Sequence, residues 1–148
     1  MKPPKFFKSL TFLLSIASLV FLAPFEQLSG QPAVSAGGNH SLFIKQDGSL
    51  WAMGINSSGQ LGDGTNGNKS TPVQIESSGV THVSAGVTHS LYVKNGSLFA
   101  MGDNQYGQLG DGTTDNNSTP QQIVSSGVTG VAAGAYPVSY THLRAHET

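Results

Sequence analysis

Residues 34–82 read VSAGGNHSLFIKQDGSLWAMGINSSGQLGDGTNGNKSTPVQIESSGVTH, and residues 83–130 read VSAGVTHSLYVKNGSLFAMGDNQYGQLGDGTTDNNSTPQQIVSSGVTG. They are two copies of one unit. About two thirds of the aligned positions are identical, and the second copy drops the residue at Gln46. A third start, VAAGAY, occupies residues 131–136. Self-similarity at a period of 48–49 residues is the signature of a solenoid, a propeller or an array, because one unit cannot bury its own apolar face.

Inside the unit the local signals are those of strands. His40–Lys45 (HSLFIK) and Ser49–Gly54 (SLWAMG) flank Gln46-Asp47-Gly48. The second copy has Asn95-Gly96 at that place, a two-residue turn that requires positive φ. Pro72–Ile75 (PVQI) reads as a third short strand, with the proline at its start where a missing N–H is tolerated. Thr81–Ala85 (THVSA) reads as the fourth, reached through Ser77-Ser78-Gly79. Nothing after residue 30 has helical periodicity. Four short antiparallel strands per unit, repeated, predict an all-β chain built as a fragment of a β-propeller.

The run AGxxHSL, then DGxLxAxG, NxxGQLGDGT and a late Pro resembles the repeat of the regulator-of-chromosome-condensation family. In the first copy it is carried by Ala36, Gly37, His40, Ser41, Leu42, Gly48, Leu50, Gly54, Asn56, Gly59, Gln60, Leu61, Gly62, Gly64 and Pro72. The same residue types recur in register from Ala85 to Pro120, and the likeness covers residues 34–136. The resemblance implies a propeller of about seven four-stranded blades used for protein–protein contacts. Some exported bacterial propellers similar to this family bind β-lactamases, so an inhibitor of secreted enzymes is one concrete candidate. An accessory propeller of a larger secreted enzyme and a nucleotide-exchange factor for a small GTPase are alternatives, the latter on fold-level analogy alone.

Composition narrows the chemistry. The 148 residues include no Cys, which excludes disulfides and thiolate metal sites. Net charge is −1, and three of the seven basic residues (Lys2, Lys5 and Lys8) lie in the first eight positions. The rest has no basic run, so neither nucleic acid nor an anionic membrane surface is an expected partner. His40 and His89 recur in register. A residue needed once per unit reads as structural, its ring bonding neighbouring backbone, because one active site needs one copy. Asp63 and Asp111 sit in GDGT loops that lack the ligand spacing of a calcium loop, and read as turn residues. Asp47–Trp51 (DGSLW) is a weak match to the Asp-box of sialidase-like propellers: its spacing departs, and the box fails in the second copy. No nucleophile–base pair, phosphate loop, dinucleotide fingerprint or paired carboxylates appears, so neither catalysis nor a cofactor is expected. Sequons stand at Asn56, Asn68, Asn95, Asn116 and Asn117 and matter only in a eukaryotic secretory setting.

Outward from the repeats the chain changes character. Residues 1–30 read as a signal peptide: the three lysines form a positive region, and residues 10–23 (LTFLLSIASLVFLA) an apolar core too short for a comfortable span of ~20 residues. Cleavage after Gly30, or alternatively Ala33, leaves no stable membrane span, and residues 31–33 become a short linker. An uncleaved amphipathic anchor is the alternative. Gln31 stands where a lipid-bearing Cys would, which excludes a lipoprotein. The expected location is secreted or cell envelope, in a bacterium. At the other end Pro137 stands where the repeat demands His, followed by Ser-Leu. Residues 137–148 resemble a translated adapter or vector sequence, and His142 and His146 are not read as a metal pair.

A partner is expected to be a protein or cell-surface ligand. In a four-stranded meander, segments 55–71 and 103–119 fall at the same end as links 37–39 and 86–88. These segments hold many of the differences between the copies, and conserved blade architecture does not explain them. The candidate binding residues are therefore Asp103, Gln105, Tyr106, Thr88, Asp115, Asn39, Ser57 and Lys69. Two units leave open edges and an uncovered apolar face, so further blades or self-association are expected to complete the ring.

Overall fold

The computed structural model describes residues 31–135 and, as backbone, 138–142. The proposed leader, Tyr136, Pro137 and residues 143–148 lie outside the described residues. Two antiparallel meanders of four strands follow one another. The first contains β1 (Ala33–Ala36), β2 (His40–Ile44), β3 (Leu50–Gly54) and β4 (Lys69–Glu76). The second contains β5 (Val80–Ala85), β6 (His89–Lys94), β7 (Ser97–Gly102) and β8 (Asn117–Val124). A two-stranded sheet pairs β9 (Val128–Ala133) with β10 (Val138–His142). Among the described residues there is no helix.

The central hairpins follow from their turn residues. In the first, Gly48 takes φ +75° and its N–H bonds the Lys45 carbonyl at 2.9 Å. In the second, Asn95 and Gly96 both take positive φ (51° and 78°), a conformation whose twist matches the flanking strands.

Two expectations are corrected. The strand read as Thr81–Ala85 is β5, and it pairs with β6 of the next sheet rather than closing the first. The three-residue link at Ser77–Gly79 resembles a hairpin turn, yet it hands the chain from one sheet to the next. The innermost strand of the first sheet is instead β1, a short segment rich in Ala and Ser. The strand read as Pro72–Ile75 extends over eight residues. Pro72 lies within it, at the register shift between Ala52 and Gly54, on the outermost strand of its sheet. There its missing N–H breaks no ladder bond of a central strand.

The cores lie between sheets, not within one. Leu42, Ile44, Leu50 and Ala52 of the first sheet pack with Val80, Tyr92 and Met101 of the second, and with Leu61 from the intervening loop. Leu91, Val93, Leu98 and Ala100 point the other way and pack with Leu109 and Val128, flanked by Val131 and Ala133. The second sheet is therefore covered on both faces, and β6 is buried from His89 to Val93. Residues 138–142, expected as a non-repeat tail, take the register of a second strand: Val138 pairs with Ala133 as Ser90 pairs with Ala85. In that register Ser139 and Thr141 stand at the positions of buried Leu91 and Val93.

Candidate functional site

Backbone bonds sort the connections into two ends. At one, the N–H of Ile55 bonds the Asn39 carbonyl and that of Asp103 bonds the Thr88 carbonyl, each at 2.9 Å. The long β3–β4 and β7–β8 loops thus share an end with links 37–39 and 86–88. At the opposite end Val80 N–H bonds Gly48 and Asn95 N–H bonds Gly79. The grouping of segments expected from the sequence holds, although the strand that motivated it belongs to the next sheet.

Each long loop is built around one buried asparagine. The Asn56 side chain donates to Asp63 Oδ1 (3.0 Å) and the Thr65 carbonyl (2.8 Å), and accepts from Leu61 N–H (2.9 Å). Asn104 repeats this with Asp111 (3.0 Å), Thr113 (3.1 Å) and Leu109 (2.9 Å). With its side chain so engaged and fully buried, Asn56 is not an available glycan acceptor in the fold. Burial alone would raise the Asp63 carboxyl; hydrogen bonds from Thr65, Lys69 and Asn56 outweigh it and hold the group below its usual range. Asp111 behaves likewise through Thr113 and Asn104. These contacts support the reading of both aspartates as turn residues. Gln60 and Gln108 turn back on the loops, accepting from Ser58 N–H and Tyr106 N–H at 2.9 Å.

On this frame the variable residues stand outward. Tyr106 is 74% exposed, Val87 47% and Ile55 38%. Thr88 Oγ1 donates to Asp103 Oδ2 (3.1 Å), and Gln105 N–H donates to Asp103 Oδ1 (3.3 Å), so the structure brings Thr88, Asp103, Gln105 and Tyr106 together. Asp115 is exposed on the same loop. Asn39 and Ser57 are exposed at this end of the first unit. Lys69 is half-buried and paired with Asp63 at 3.0 Å, which makes it part of the loop frame as well as of the surface. A hollow of about 270 Å³ opens beside the links, lined by Ala36, Gly37, Gly38, Ala85, Gly86, Val87 and residues 133–135. Its walls offer no side-chain donor, acceptor or nucleophile.

His40 is structural, but its ring bonds a side chain of the next sheet rather than local backbone. Ser90 Oγ donates to the Gln60 carbonyl (2.7 Å), so it must accept from His40 Nε2–H at 2.8 Å. That fixes the neutral tautomer with a bare, buried Nδ1. Burial, and then the neighbouring His89, lower the His40 pKa to about 4. Burial also lowers His89, partly opposed by the Asp103 charge. Neither His89 nitrogen finds a partner among the described residues. A second latch recurs in register: Ser35 Oγ accepts from Ala85 N–H (3.0 Å), and Ser84 Oγ from Ala133 N–H (2.9 Å). Sequence reasoning missed Asn56, Asn104 and these serines as sheet and loop fasteners; their in-register identity was the available signal. Among the described residues no group of three His, Cys, Asp or Glu could hold a metal, and no helix is long and apolar enough to cross a membrane.

Comparison with known proteins agrees with this architecture. The sequence model described as "Regulator of chromosome condensation (RCC1) repeat" matches residues 47–93 and 95–138, and a second model of the same description matches 33–60 and 80–108. The human probable E3 ubiquitin-protein ligase HERC3 is 50% identical over 36 residues, which are 24% of this chain and 3% of that protein. The crystal structure of human WBSCR16 superposes with a TM-score of 0.68 at 28% identity, over 76% of this chain and 31% of the other. A chain in the crystal structure of Kap60 bound to yeast RCC1 (Prp20) gives 0.64 at 22% identity, over 76% and 30%. The chain thus spans about a third of the solved structures it resembles. The family models cover more than half of the chain, and the chain belongs to the regulator of chromosome condensation (RCC1) repeat family.

Proposed function

We propose that this chain is part of an exported β-propeller that acts as a binding scaffold for a protein or cell-surface ligand, using the end formed by the β3–β4 and β7–β8 loops. The observation that carries this is the division of labour between the two copies. Most residues that build sheets and loop frames are kept, whereas Ile55 becomes Asp103 and Ser57-Ser58 becomes Gln105-Tyr106 on the outward surface. An exposed tyrosine beside a carboxylate and an amide suits an interface anchor: it supplies apolar area, a hydroxyl and little entropy loss. A secreted enzyme inhibited by the propeller is the more specific form of this reading. Yeast relatives are described with the protein partners Kap60, Gsp1p and histones, at an identity that carries the fold alone, so the partner class here rests on the surface.

The test uses the full-length protein that contains these units. A ligand captured by it should lose affinity by roughly tenfold or more with Tyr106→Ala and Asp103→Ala combined. Unchanged affinity, with loss from substitutions at 46–48 and 77–79, would move the site to the opposite end. Export is tested separately: the mature protein should be found outside the cytoplasm with its N-terminus at or near Gln31, and retention with Met1 intact would end that part of the proposal.

A further inference from the structure

The junction between the two sheets holds one polar cluster that the repeat does not reproduce. Glu76 ends β4 of the first sheet, while Tyr92 and Lys94 lie on β6 of the second. Tyr92 Oη donates to Glu76 Oε1 at 2.7 Å, and Lys94 Nζ pairs with Glu76 Oε2. The Tyr92 ring is fully buried, and the Glu76 and Lys94 side chains are 20% and 28% exposed. In the other copy two of these three positions change, and the lysine is kept. Val124 stands in the place of Glu76 and Phe43 in the place of Tyr92. Lys45, in the place of Lys94, lies over the Trp51 ring at 3.7 Å and needs no carboxylate. Two kinds of edge are therefore present: one offers an acceptor (Glu76) and one does not (Val124). Two kinds of face are present as well: one demands an acceptor (Tyr92 with Lys94) and one does not (Phe43).

Between units so similar, the two wrong successions are not equivalent, because the lysine is kept in both copies. A second sheet packed on another second sheet sets the Tyr92 hydroxyl and Lys94 ammonium against Val124, and a buried hydroxyl without an acceptor is costly. A first sheet packed on another first sheet sets the Glu76 carboxylate against Phe43, where it loses the hydroxyl but keeps a lysine, Lys45, at the Lys94 position. A second sheet following a second is therefore the succession that strands two groups, the Tyr92 hydroxyl and the Lys94 ammonium. We propose that Glu76, Tyr92 and Lys94 are a junction key that reserves the face of the second sheet for the edge of a first sheet in an array of near-identical blades. Its value lies in the wrong pairings it penalises more than in the stability it adds, because a well-packed apolar substitute for such a cluster is often as stable.

The full chain with Glu76→Val, the chain with Tyr92→Phe and Lys94→Met, and the chain with all three changes are compared with the wild type at matched concentrations. The first two should each lower the thermal midpoint by about 5–10 °C, through stranded polar groups. The triple variant should return close to the wild-type midpoint. It should refold as well as the wild type at about 1 µM and at least twofold less well at about 100 µM, because every junction has become permissible and copies mispair. Additive losses in the triple variant, or its failure to fold, would show that the three groups are not one unit and would overturn the proposal. A triple variant that refolds as well as the wild type at every concentration would overturn it too, by showing a contact that packs without keying. If either partial variant does not fold, the triple variant still decides.

Discussion

The first and second sheets are near copies in sequence, yet their outer rows live in different surroundings. Val34, Phe43 and Trp51 form a row across the first sheet, as Val83, Tyr92 and Phe99 do across the second. Val34 is 76% exposed, whereas Val83 is half-buried against the inter-sheet core. Phe43, Ser41 and Met53 are partly exposed; Tyr92, Ser90 and Met101 are fully buried. The two aromatic pairs both stack, but Tyr92–Phe99 centroids lie 5.0 Å apart and Phe43–Trp51 6.5 Å. The difference arises because the second sheet has the first lying on that face and the first has nothing among the described residues. The repeat therefore encodes a sheet suited to being covered on both sides, and the apolar row of the first sheet is a packing surface of that kind.

The contrast predicts unequal costs for equal substitutions, measured at one protein concentration because association shifts apparent stability. Tyr92→Ala should destabilise by about 3–5 kcal/mol and Phe43→Ala by about 1 kcal/mol, because only the former opens a cavity between packed sheets. Equal costs in chemical denaturation would break the comparison.

Acid should act through the same junction. The folded-state pKa of His40 is about 4 against an ordinary 6.5, so the unfolded chain takes up the proton first as pH falls. Full stability is present above about pH 6.5 and is lost between there and pH 4, by up to about 3 kcal/mol. His89 shifts in the same direction. His40→Asn should therefore flatten, without abolishing, the fall of the thermal midpoint over that window; an unchanged slope would remove His40 from the account.

Loop glycines give a third comparison. Gly59 has φ +81°, and a Cβ there would meet Ser118 Cα of the neighbouring sheet at 2.5 Å. Its counterpart Gly107 has φ +73° and nothing nearer than 3.9 Å. Gly59→Ala should cost about 2–3 kcal/mol, and Gly107→Ala about 1 kcal/mol for the backbone alone. Differential scanning of both variants checks this, and equal shifts would deny that the first loop is clamped by the second sheet. The smallest effect concerns His89. Val138 holds the register position from which Ser90 bonds His40. Val138→Ser should therefore raise stability, by about 1 kcal/mol. No change, or a loss, would show that the third sheet does not copy the first junction.

What could be read in advance follows the reach of each signal. The hairpins at Gly48 and Asn95-Gly96 were legible because positive φ restricts the residues that fit. The family was legible because fifteen positions recur in register. The membership of β5 was not, since sequence shows that a strand exists but not which neighbour supplies its hydrogen bonds. The grouping of the long loops with links 37–39 and 86–88 was legible, as was the divergence between copies there. The asparagine hub within each loop was not, because in-register identity marks Asn56 and Asn104 as needed in each unit but not which loop groups they hold. Glu76 was invisible for a similar reason: it is one of many differences between copies, and only the Tyr92 hydroxyl beside it gives that difference a meaning.

The central claim is that the first sheet carries a blade-packing face that nothing among the described residues covers. Sedimentation of residues 31–148 over a range of concentrations, paired with thermal unfolding, tests it directly. The account predicts concentration-dependent association, a midpoint that rises with concentration, and weakening of both by Trp51→Lys. A single monomeric species with a cooperative, concentration-independent melt, unaffected by Trp51→Lys, would contradict it.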